Sequence, residues 1–68
     1  MNTDNDWIGF RQARAEGYRH EANAHRAYAK SERFYGKAEQ AAHHDRMAES
    51  YDAMAAELEA EAQQELAA

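Results

Sequence analysis

Small residues recur every seven positions in two separate runs: Ala15, Ala22, Ala29 and Gly36, then Ala41, Ala48, Ala55 and Ala62. Seven residues is the repeat at which one face of a helix meets the same face of a neighbour, and small side chains there bring helix axes toward the lower end of the usual range of about 8–10 Å. Nothing in the chain competes with helix. Pro is absent, and Thr3 and Ile8 are the only β-branched residues, so strand is disfavoured throughout. Two small-residue stripes of equal length predict an all-α, antiparallel two-helix hairpin with an alanine-rich seam.

The boundaries follow from local chemistry. Thr3 and Asp6 have capping-box spacing, with Asp in place of Glu, and Asp4 and Asp6 suit the positive end of a helix dipole. The first helix is predicted over about 4–35, with Trp7, Tyr18, Ala22, His25, Tyr28 and Tyr35 sharing one face. Gly36 is the expected stop, as a left-handed residue just past the helix end. The second helix is predicted over about 38–66 and carries Met47, Tyr51, Met54, Leu58, Ala62 and Leu66 on one stripe. Residues 1–68 then form one helical-hairpin domain. Lys37 is a poor N-cap and Asp45 a good one, so a later turn at Ala41 to Asp45 and a single unbroken helix stand as alternatives. A turn centred on Gly36 pairs Ala22 with Tyr51, Ala15 with Leu58, Tyr28 with His44 and Ile8 with Leu66. It also brings Arg14 near Glu57 and Arg11 near Glu61.

A lone hairpin of this composition has little to bury. Seventeen of its 30 hydrophobic residues are Ala, there is no Cys for a disulfide, and a chain of 68 residues supplies a small core at best. Trp7, Phe10, Phe34 and Met47 fall partly outside the seam. A two-fold homodimer forming a four-helix bundle would cover them. Trp7, Phe10, Tyr18, Met47, Tyr51, Met54 and Leu58 are therefore the expected core and dimer residues.

Charge is divided along the chain, with a net +1 over residues 1–36 and −6 over residues 37–68. Arg19, Arg26 and Arg33 repeat every seven residues and predict a basic stripe on the outer face of the first helix, while Glu49, Asp52, Glu57, Glu59, Glu61 and Glu65 make the second helix acidic. The plain interpretation is a set of solvated ion pairs, each worth little. The functional one is protein recognition, because Arg beside aromatic residues anchors interfaces. Arg19, Arg26, Tyr28, Arg33, Phe34 and Tyr35 are the candidate partner-binding residues. Direct nucleic-acid binding is disfavoured by the net charge of −5. The acidic helix is instead a candidate DNA mimic.

His20, Glu21 and His25 resemble a metalloprotease motif, but the two His are five residues apart, about 140° around a helix, so no metal site is assigned. His25 and His44 are expected to pack and hydrogen-bond near Tyr28, Tyr51 or Glu21. The tyrosines and methionines are expected as seam residues and gap-fillers before any site. The three isolated glycines form no phosphate-cradling loop, and neither a span of about 20 apolar residues nor a basic leader is present. A non-enzymatic, cytoplasmic protein without a cofactor is the expectation.

In overall character the chain resembles the small early proteins by which bacteriophages disable host machinery. The features carrying this likeness are the helical hairpin, the acidic balance and the stripe of Arg26, Tyr28, Arg33, Phe34 and Tyr35. Among these proteins it is most similar to the phage quorum-sensing anti-activators, which are short helical dimers. That resemblance implies a stoichiometric inhibitor that binds a host LuxR-type transcription activator near its DNA-binding domain, with a type IV pilus ATPase as a further partner. Small anti-CRISPR proteins look similar, and a bundle-forming structural adaptor is the alternative from a different class.

Overall fold

A computed structural model describes residues 3–67, with side chains from Trp7 onward. Two helices account for nearly all of it: α1, Thr3–Phe34, and α2, Ala38–Ala67. The proposed capping box of Thr3 and Asp6 lies outside the described side chains. Ion pairs link Arg11 to Glu65 near the open end and Arg33 to Asp45 near the turn, so the helices run antiparallel as a hairpin.

The turn falls at Gly36, not at Asp45. Gly36 is in the left-handed region at φ 75°, where a side chain would be strained. Its amide donates to the Arg33 carbonyl at 3.1 Å, and the Lys37 amide donates to the Glu32 carbonyl at 2.7 Å. Together these two bonds make a Schellman motif and satisfy carbonyls that the end of α1 would otherwise leave open. Lys37 contributes backbone only: its carbonyl accepts from the Ala41 amide at 3.0 Å and opens α2. Its poor side-chain capping is tolerated because the reversal is already set by Gly36.

The seam is the predicted one. Ala15, Ala22, Ala29, Ala41, Ala48, Ala55 and Ala62 are all 2% exposed or less, and Ile8 joins them at 9%. Beside this row runs a second, three residues later, of partly buried Arg11, Tyr18, His25 and Glu32 on α1 and His44, Tyr51 and Leu58 on α2. One row is methyl-sized and the other is large and mostly polar. The small row allows close approach, and the large row seals it.

Several expectations are corrected here. Trp7, Tyr28 and Tyr35 do not share the buried face of Tyr18, Ala22 and His25; Trp7 and Tyr28 sit on the flank of α1 and Tyr35 in the turn beyond it, each more than half exposed. Trp7 and Phe10, expected partly outside the seam, do lie outside the hairpin core and pack edge to face on each other at 6.0 Å. Leu66 is exposed where it was paired with Ile8, and Met54 is only partly covered. Aromatic spacings of 11, 3 and 7 residues suit neighbouring faces as readily as one face, and the alanines take the inner one.

Candidate functional site

Two features stand out from this frame: a ladder of rings along the seam and an exposed aromatic surface on α1. The ladder alternates between helices. Tyr18 of α1 meets Tyr51 of α2 at 5.8 Å, Tyr51 stacks on His25 at 5.5 Å, His25 stacks on His44 at 5.0 Å, and His44 meets Tyr28 at 5.4 Å. The expected pairing of Tyr28 with His44 is present. His25 and His44 also share a hydrogen bond, with Nδ1 to Nδ1 at 2.8 Å. One ring donates and the other accepts, so this contact holds a single proton. His44 Nε2 lies 3.5 Å from Glu32 Oε1, a buried oxygen with no hydrogen-bond partner of its own. A carboxylate at this distance favours the tautomer with its proton on Nε2, in which His44 Nδ1 accepts and His25 Nδ1–H donates.

Among the described residues no group of three or more His, Asp or Glu is arranged to hold a metal ion. His20 points to solvent and pairs with Glu16 at 3.7 Å on its own helix.

The basic stripe is placed differently from expectation. Arg19, Arg26 and Arg33 each follow a seam residue by one position, so they lean over the edge of the seam onto α2 instead of facing outward. Arg19 bonds Asp52 at 3.1 Å and Glu59 at 2.6 Å, Arg26 bonds Asp52 at 2.7 Å, and Arg33 bonds Asp45. Asp52 is held below the ordinary carboxylate range, chiefly by the hydrogen bond from Arg26, with Arg19 adding to it. Arg19 is pushed up by its hydrogen bonds to Glu59 and then Asp52. At the open end Arg11 sits 3.4 Å from Glu61, as the expected register requires, and also bonds Glu65. Charge that looked available for a partner is therefore engaged within the hairpin along this edge.

The aromatics remain outside. At the turn, Phe34 is 81% and Tyr35 72% exposed, packed edge to face at 5.1 Å. With Ala27, Lys30, Ser31 and Arg33 they line a shallow hollow on the back of α1. Of the candidate partner-binding residues, Phe34, Tyr35 and Arg33 thus come together, Tyr28 joins the ring ladder from its exposed side, and Arg19 and Arg26 lie along the ion-paired edge. Arg14, placed near Glu57 by the expected register but not counted among the partner-binding residues, bonds the Tyr18 hydroxyl at 2.9 Å and lies over the rings of Phe10 and Tyr18. Its signal was its place seven residues after Trp7. Among the described residues, no helix is long and apolar enough to cross a membrane. Comparison with protein-family models, curated proteins and solved structures finds no match to the chain.

Proposed function

We propose that this protein acts without catalysis, as a protein-binding module that self-associates into a four-helix bundle and occludes a functional surface of another protein. The observation carrying this reading is the turn end of α1, where Phe34 and Tyr35 are largely exposed beside Arg33 and Lys30 around one hollow. Exposed rings next to cations cost solubility unless something covers them, and aromatic and Arg side chains are what interface centres favour. A DNA-mimic role is less favoured, because Asp45, Asp52, Glu59, Glu61 and Glu65 are committed to arginines of α1.

The resemblance to phage anti-activators makes the DNA-binding domain of a LuxR-type activator the first partner to offer. Binding by the intact chain, lost in the Phe34→Ala, Tyr35→Ala double variant with helicity unchanged, is the expected result. Binding that ignores the double variant would move the site elsewhere. Charge reversal at Arg26 or Arg33 is a poorer probe, since it also breaks the pairs to Asp52 and Asp45.

A further inference from the structure

The hairpin is one helix layer thick, with Cα extents of 53 × 17 × 11 Å. Helical domains bury their faces by adding a second layer. Its two flanks are unlike. One is closed by the arginine and carboxylate pairs described above. The other lies one position before the seam rows on each helix, about 100° around α1 from the seam and so close to the right angle between neighbours in a square four-helix bundle. On α1 this flank carries the exposed rings of Trp7, Phe10 and Tyr28. Met54 of α2 belongs to it too, lining a hollow with Arg14 and Glu57.

We propose that this flank is a homodimer interface in which α1 packs antiparallel against α1 of a second copy, with Arg14 of each protomer beside Glu21 of the other. The proposal rests on the self-association inferred above and names its surface. Charge is the first reason for choosing a second copy as the occupant. Arg14 and Glu21 are exposed and one heptad apart on the flank, so a two-fold axis between them makes the same ion pair twice. Size is the second. The flank alternates large residues with the small, exposed Gly17, Ala24 and Ser31. The same axis sets Trp7 over the second copy's Ser31, Arg14 over its Ala24 and Glu21 over its Gly17, with Phe10 beside its Tyr28. Large meets small in three of these four layers, as close antiparallel packing requires. A shallow hollow already stands open at Gly17, between Phe10, Arg14 and Glu21. Phe34, on the back of α1, is left free for another partner.

Sedimentation equilibrium of the full chain tests this, with circular dichroism reporting the hairpin. The unaltered chain is expected to dimerise. Arg14→Glu and Glu21→Arg are each expected to weaken the dimer by about tenfold or more, and the double variant, which restores both pairs with sign exchanged, to recover most of the loss. Gly17→Gln gives an independent reading, because a Cβ at Gly17 meets nothing within 4 Å inside the hairpin and the longer chain extends from an exposed position. It should leave the helices formed and the dimer weakened. A dimer indifferent to all three single changes uses another face and overturns this interface while leaving self-association intact. A double variant no better than the singles overturns it as well. A folded monomer at the highest attainable concentration overturns both.

Discussion

His25 and His44 meet across the seam through their two Nδ1 atoms, 2.8 Å apart, and so share one proton between helices. Glu32 biases where that proton resides, because its buried Oε1 lies 3.5 Å from Nε2 on the far side of His44. In nitrogen-resolved magnetic resonance above neutral pH, His25 is expected as the Nδ1–H tautomer and His44 as the Nε2–H tautomer. Finding Nδ1–H on His44 would reverse the assignment. In Glu32→Gln the preference should weaken, since a neutral amide has less to gain from an N–H facing it.

Asp52 ties the stability of the hairpin to acid. Its carboxyl is held low in the folded state by Arg26 and Arg19 and returns to its ordinary value near 3.9 on unfolding. The lowered group contributes stability that is present above the unfolded value and is lost as pH falls through the folded one. Melting temperature should therefore drop on acidification below about pH 4. The Asp52→Asn variant should start lower and show a shallower drop over that window.

Gly36→Ala places a side chain at φ 75° and should destabilise the hairpin by about 1–2 kcal/mol, read from urea unfolding. Nothing lies within 4 Å of the position, so the loss would come from backbone strain alone.

Ala48→Leu should cost about 1–3 kcal/mol for a different reason, since a residue 2% exposed in a seam of methyl groups has no room for a branched chain. The same change at exposed Ala53 is expected within about 0.5 kcal/mol of the unaltered protein.

The Phe34→Ala, Tyr35→Ala variant should melt within about 0.5 kcal/mol of the unaltered hairpin, because both rings are largely in solvent. A large loss of stability would reassign them from recognition to folding.

The alanine repeat and Gly36 made the hairpin, its turn and part of its pairing legible in the sequence, including Arg11 beside Glu61 and Tyr28 beside His44 but not Ile8 beside Leu66. The second seam row was harder to see. Arg11, Tyr18, His25 and Glu32 follow the small row by three residues, but hydrophobic periodicity looks for apolar side chains, and three of these four are polar or charged. The arginine stripe was misplaced as a result. Once Tyr18, His25 and Glu32 are inside, Arg19, Arg26 and Arg33 are one step from the seam and within reach of α2, where they find carboxylates. Phe34 and Tyr35, named from sequence as candidate contact residues, are both exposed at the turn. Their separation from Arg19 and Arg26 was not legible, since it depends on which way each side chain leans.

The two alanine runs are out of phase with each other. Gly36 and Ala41 stand five residues apart, not seven, so an unbroken helix would carry the second stripe about 140° around from the first. A straight rod of this sequence could not present both stripes to one neighbour. Reversing direction at Gly36 brings them face to face, and the five-residue interval is thus an instruction to fold back, written into the repeat itself.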